Sequence, residues 1–225
     1  MFMKKIPCLV LARKNSKSIK KKNLRKLSGF TLIEITIKYL KKSKLISDIV
    51  ISTDDKHVAK ISEKNKCFTI YPRPKALATD TATTESALKH ALKIYENKYG
   101  KTNIVAYAQV TEPFRPKDIM DKCINTLIKN SKVDSCFASF KQKKNFWIMK
   151  NNFLKRISPY NERFKPRQIK KATYREDTGI ALATRSKFIR KGERIGKKVK
   201  CISYEDPKYN IDINNIEDLS LAKKF

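Results

Sequence analysis

Short apolar runs and stretches of helical period take turns along this chain. Residues 6–12 (Ile-Pro-Cys-Leu-Val-Leu-Ala) run apolar without alternation, as a strand buried on both faces does. The same reading predicts strands at 48–53, 67–71, 103–110 and 133–139, with Pro72 and Pro74 halting the second of these four. Between them the period lengthens. Leu32, Ile33, Ile35, Ile37 and Leu40 predict a helix near 31–42, and Asp54-Asp55 caps one near 55–65. Ala87, Leu88, Ala91, Leu92 and Tyr95 stripe a helix near 82–98 that Gly100 stops. Pro116 starts another, running to about residue 130. Short strands at 178–184, 199–203 and 211–213 and a last helix near 215–224 complete the series. Residues 140–175 show no clean period and read as an inserted arm. The alternation of strand and helix predicts a doubly wound α/β sheet. With no repeat and no linker, residues 1–225 read as one domain.

Composition changes this picture little. A chain of 225 residues with 32% charged and 40% hydrophobic residues can bury a globular core. It has no run of 18 apolar residues, so no membrane span is expected. The seven apolar residues before Arg13 are too few for a signal peptide, which points to the cytoplasm. The five cysteines (8, 67, 123, 136, 201) are odd in number and contain no Cys-x-x-Cys pair, so free thiols are expected. A net charge of +31 invites a nucleic-acid reading. Yet only eleven of the 52 basic residues are Arg, and the lysines are spread over almost every segment. Bidentate phosphate and base recognition favours Arg. No specific nucleic-acid partner is expected, although the charge should attract a polyanionic nucleotide in a salt-dependent way.

Candidate chemistry begins where the first strand ends. Arg13, Ser16, Lys17, Lys22 and Asn23 place cations and hydroxyls at the carboxyl end of that strand, where open α/β sheets bind ligands. Such groups can neutralise a triphosphate. The loop is neither a Walker loop nor a dinucleotide fingerprint, since no glycine precedes Gly29. It resembles the N-terminal signature of the acylneuraminate cytidylyltransferases, Ala-Arg-x-x-Ser-Lys-Gly-x-x-x-Lys-Asn. Here it stands as residues 12–23 with Ser18 in place of the family glycine.

Three further blocks carry the resemblance. Residues 73–84 (Arg-Pro-Lys-Ala-Leu-Ala-Thr-Asp-Thr-Ala-Thr-Thr) are similar to Arg-Pro-x-x-Leu-Ala-x-Asp-x-Ala-Ser-Ser, which in the family faces cytosine and ribose. That implies nucleoside contacts from Arg73 and Thr84, although Asp80, Thr81 and Thr83 also suit a helix cap. Residues 109–115 (Gln-Val-Thr-Glu-Pro-Phe-Arg) resemble Gln-Pro-Thr-Ser-Pro-Leu-Arg, which implies sugar contacts from Gln109 and Thr111. Glu112 departs from the sialic acid pattern toward the Gln-Gly-Asp-Glu-Pro of CMP-Kdo synthetases. Residues 209–219 are similar to Ile-Asp-Ile-Asp-x-x-x-Asp-Leu, but the second aspartate is Asn214. The resemblance implies Mg²⁺ held by Asp212, with Asn214 and Glu112 completing the set; otherwise Asp212 ends a strand and caps the last helix. Pro166-Arg167-Gln168 matches a block on the family's dimerisation arm and makes Arg167 a candidate for the sugar carboxylate.

The fold implied is a three-layer nucleotidyltransferase with a small dimerisation arm, so a homodimer is expected. The reaction implied joins CTP to a sialic-acid-like 2-keto-3-deoxy acid sugar, giving CMP-sugar and pyrophosphate for cell-surface glycan synthesis. Arg13, Lys22 and Asp212 would carry its chemistry. Two rivals stand beside it: a CMP-Kdo synthetase or other sugar nucleotidyltransferase, and a lysine-rich nucleic-acid binder. His57 and His90 belong to no motif. The sole tryptophan, Trp147, suits an interface, a pocket or plain packing.

Overall fold

A computed structural model describes residues 5–16, 18–157, 161 and 164–225. The apolar runs become strands β1 (Pro7–Ala12), β4 (Asp48–Thr53), β5 (Phe68–Ile70), β6 (Ile104–Tyr107), β7 (Ser135–Gln142), β10 (Thr173–Arg185) and β11 (Val199–Tyr204). They form one sheet in the order β11-β7-β10-β6-β1-β4-β5. All neighbours run parallel except β10, which is antiparallel to both β6 and β7. A two-residue pair, β2 (Lys26–Leu27) and β3 (Phe30–Thr31), and a hairpin, β8 (Trp147–Lys150) and β9 (Phe153–Arg156), lie outside that sheet.

Helices cover both faces. Cys8, Val10 and Ala12 of β1 pack with α1 (Leu32–Leu40), α4 (Ile119–Lys129) and α6 (Ile216–Ala222), while Leu9 points to the other side. There it joins Leu88, Leu92 and Tyr95 of α3 (Thr84–Tyr99) and Ile189 of α5 (Ser186–Lys191). Alternate strand residues thus feed opposite cores, as the period of two requires. The three-layer, mostly parallel α/β fold expected from the sequence is the fold observed. α2 (Lys56–Lys64) starts at Asp55, whose carboxylate accepts from the His57 amide at 2.8 Å. Among the described residues no helix is long and apolar enough to cross a membrane. All five cysteines are free.

Four local expectations change. Residues 211–213 join no ladder; a backbone hydrogen bond from Ile213 to Thr111 (2.8 Å) ties them to the loop after β6. α4 begins at Ile119 rather than Pro116, because Asp118 takes a left-handed conformation (φ 58°). α5 was not expected: it is six residues long and too short to show a period. The arm, 140–175, holds the β8–β9 hairpin, turned by Asn151 and Asn152 at positive φ, a type I′ signal.

Candidate active site

The chain crosses from the β4 side of β1 to the β6 side. This is the switch point where an open sheet leaves a crevice beyond its carboxyl ends. Into that crevice β1 delivers Arg13. The loop that follows is closed on itself, because Asn23 Nδ2 donates to the Arg13 carbonyl at 2.8 Å. Among this loop's described residues the left-handed one is Lys21 (φ 54°), not Ser18. Instead, the Ser18 hydroxyl donates to the Asn214 carbonyl and pins the loop to the C-terminal block.

The second block lies opposite. Arg13 Nη1 donates to the Thr79 carbonyl at 3.1 Å and pairs with Asp80 at 2.8 Å. Asp80 is therefore engaged by the first loop, and Thr83 caps α3, accepting from the Ser86 amide at 3.1 Å. Arg73 is 4% exposed, its Nε donating to Ser52 Oγ at 3.0 Å and its Nη2 to the Ser52 carbonyl. Its guanidinium ties the loop to β4 while one edge still faces the crevice. Arg13, Ser16, Lys22 and Asn23 line one cavity of about 340 Å³ with Arg73, Thr84, Gln109 and Thr111. Lys17 lies outside the described residues.

A second cavity of about 310 Å³ adjoins it, and Gln109 lines both. Here β10 loses register with β7 between Asp177 and Leu182, as strands do at bulges beside functional sites. The bend brings Gly179 against the loop after β6. A Cβ on Gly179 would lie 1.6 Å from Glu112 Oε2 and 2.7 Å from Gln109 Oε1, so any larger residue there would require the ends of both side chains to move. Glu112 is 8% exposed and its Oε2 is buried without a hydrogen bond. Burial pushes its carboxyl up to about 8; Arg115 opposes this, and Asp212 and Asp177 add to it.

Asp212 also faces this cavity, with Oδ1 buried and lacking a hydrogen bond. Its Oδ2 accepts from Asn214 Nδ2 at 2.9 Å, so Asn214 offers a donor there. Capping of α6 falls to Asn215 and Asp218, which exchange side-chain bonds at 2.8 and 3.0 Å. Asp212 is therefore free of that duty. Burial holds the Lys22 ammonium below the usual lysine value, against the pull of Asp212 and Asp218 and with a push from Arg13. Lys22, which lines the first cavity, thus feels the charge of Asp212, which lines the second. Among the described residues no group of three or more His, Cys, Asp or Glu could hold a metal ion. Glu112 and Asp212 form a pair, each with one orphaned oxygen. Two hard oxygens fit a divalent cation that keeps several waters.

Arg167 does not join this assembly within one chain; it lines a separate cavity of about 910 Å³ in the arm, with Lys143, Lys144 and Lys170. Conversely, sequence reasoning passed over Arg175, Asp177, Asn210 and Arg194. Asp177 accepts from Arg175 Nε at 2.6 Å, and from the Phe140 amide and the Tyr204 hydroxyl at 2.8 Å each. The signal was present: Arg175-Glu176-Asp177 puts three charges at the head of a buried run.

Several known proteins are similar to this chain. Post-translational flagellin modification protein B of Campylobacter coli is 40% identical over 90 residues, 40% of this chain and 38% of that protein. Pseudaminic acid cytidylyltransferase of Campylobacter jejuni is 25% identical over 219 residues, 96% of this chain and 94% of that one. A solved CMP:2-keto-3-deoxy-manno-octonic acid synthetase complexed with CTP shares the fold, with a TM-score of 0.69 at 13% identity. It covers 98% of this chain and 97% of its own. A model of the cytidylyltransferase family matches residues 7–224, and the chain belongs to that family.

Proposed function

We propose that this protein transfers the cytidylyl group of CTP to the anomeric hydroxyl of a sialic-acid-like nonulosonic acid, releasing pyrophosphate, in surface-glycan synthesis. The observation that carries this reading is the pair of joined cavities. One is lined by cations suited to a triphosphate; the other holds two orphaned carboxylate oxygens beside Gln109. In the first, Arg13, Ser16 and Lys22 hold the phosphates, Lys17 joining them on the strength of the sequence motif alone, and Asn23, Arg73 and Thr84 face the nucleoside. Gln109 and Thr111 orient the acceptor where the cavities meet. Arg13 and Lys22 neutralise charge that grows on the leaving pyrophosphate, so positioning and electrostatics supply most of the rate. Glu112 and Asp212 would hold Mg²⁺, with Asn214 orienting Asp212. When bound, the ion would offset phosphate charge and acidify the acceptor hydroxyl.

The arm supports a homodimer. Trp147, Met149, Phe153, Leu154 and Phe164 are all more than half exposed on and beside a hairpin that, among the described residues, hydrogen-bonds to no other strand. Such a surface suits a second copy of the chain. That arrangement would also let Arg167 serve the neighbouring copy's sugar. Sedimentation of Phe153→Ser/Leu154→Ser against wild type tests it; an unchanged mass rules the hairpin out as the interface.

Pyrophosphate release with CTP and a panel of nonulosonic acids and Kdo tests the reaction. Turnover on a nonulosonic acid is expected, with CTP preferred over UTP and ATP at every salt concentration. A Kdo preference would support the second reading, to which Glu112 points. No turnover, with equal binding of DNA and all triphosphates, would remove both.

A further inference from the structure

The second cavity carries an imbalance. Glu112, Glu176, Asp177 and Asp212 line it, against Arg175 and Arg194. An anionic acceptor entering this acidic space needs a cation able to leave its present contacts. Arg175 is not one, being held by Asp177 at 2.6 Å and Asn210 at 2.9 Å. Arg194 is held differently. Its ion pairs, to Glu85 at 3.6 Å and Glu176 at 3.8 Å, are too long to be hydrogen bonds. Its Nε is buried and makes no hydrogen bond. The side chain also reaches the Tyr107 hydroxyl, a hydrogen-bonding contact, and Tyr107 lines the first cavity, so the guanidinium of Arg194, which lines the second, stands near the junction of the two.

We propose that Arg194 binds the carboxylate of the acceptor and selects acids over uncharged sugars; this rests on the function proposed above. A guanidinium fork and a carboxylate form two parallel charge-assisted bonds of about 2.8 Å. Forming them would loosen two long ion pairs and the contact with Tyr107, and would satisfy the unbonded Nε. Glu85 and Glu176 lose no hydrogen bond to Arg194 in the exchange. Arg194 lies on the loop between α5 and β11, outside every block that the sequence singled out.

The test compares a nonulosonic acid with its methyl ester in wild type, Arg194→Met and Arg194→Lys, with CTP calorimetry as a control on folding. Wild type should prefer the acid by roughly 10- to 100-fold in kcat/KM. Arg194→Met should lose most of that preference through a raised acceptor KM, while CTP affinity stays within about twofold. Arg194→Lys should recover part of it, since an ammonium keeps the charge but not the fork. An undiminished preference in Arg194→Met sinks the proposal, as does its loss in Arg167→Met alone. If Arg194→Met fails to fold, an unaltered preference in Arg194→Lys, with KM like wild type, counts against it. Wild-type inactivity on every nonulosonic acid overturns the proposed function and this inference together.

Discussion

The two cavities share Gln109 and are otherwise built on opposite plans. The first is a set of loops leaving parallel strands, and its key polar groups are tied to one another: Asn23 to Arg13, Arg13 to Asp80, Arg73 to Ser52. The second forms where antiparallel β10 bends, from segments around residues 109–112, 175–179, 194 and 210–212. Its acids are only half satisfied. Asp177 is fully bonded, yet Glu112 Oε2 and Asp212 Oδ1 are buried with nothing to accept from. A buried unpaired oxygen costs about 1–3 kcal/mol, so folding alone does not favour two of them side by side. The difference separates a preorganised binding surface from a place held ready for a further charge.

Asp212→Asn breaks the second plan and leaves the first. It removes an anionic oxygen that no capping role explains. Turnover should fall by about 10³-fold or more while CTP affinity, by calorimetry, changes by less than about threefold. Retained turnover would make the C-terminal block a mere tether for Ser18. The converse variants, Arg13→Ala and Lys22→Ala, should each cost about 10²-fold in kcat/KM and weaken CTP binding, with the fold intact. Near-native kinetics in both would take the loop out of the mechanism.

The same contrast explains what was legible in the sequence. Residues 12–23 and 73–84 each act as a contiguous block beside a strand whose apolar run is unmistakable. Arg13, Ser16, Lys22 and Asn23 could be set at a strand end from the sequence, and the family resemblance added Arg73, Thr84, Gln109 and Thr111; all eight line one cavity. What could not be read was direction. Arg73 was expected to face a base, and most of its guanidinium faces Ser52. The second cavity depends on a register shift and on Gly179 approaching Glu112, and neither leaves a period or a motif. Arg175 and Arg194 lie nineteen positions apart and meet there only through β10, α5 and the loop between them. The supposed strand at 211–213 failed for a related reason: its apolar alternation serves packing of Ile211 and Ile213 into the core, not pairing.

Gly179→Ala sharpens the comparison at the seam. The added methyl cannot coexist with Glu112 Oε2 at 1.6 Å or Gln109 Oε1 at 2.7 Å, so both side chains must move. Overpacking of this kind costs about 1–3 kcal/mol. We expect a lower melting temperature and roughly tenfold slower turnover, with CTP affinity changed by less than about threefold, because Arg13, Lys22 and Asn23 do not line the second cavity. A melting temperature and rate equal to wild type would show that the bulge tolerates relaxation and that Glu112 is not held where it is for function.

The smallest effect is the most diagnostic of the orphaned pair. Burial keeps the Glu112 proton on up to about pH 8 in the folded chain, against 4.5 when unburied. Between those values the folded state binds the extra proton, so this group's stabilising contribution is whole below about 4.5. It declines as pH rises and is gone above about 8. In divalent-free buffer, wild type should therefore lose stability relative to Glu112→Gln between pH 5 and 8. The loss should be on the order of 1 kcal/mol, below the full shift because the cavity opens to water. A bound divalent cation acts in the opposite sense: it favours the ionised carboxylate and should restore wild type at pH 8 while leaving Glu112→Gln unmoved. Parallel melting curves for the two proteins across that range, with and without Mg²⁺, would show that Glu112 ionises as freely as a surface acid. The site would then rest on Asp212, oriented by Asn214, and water.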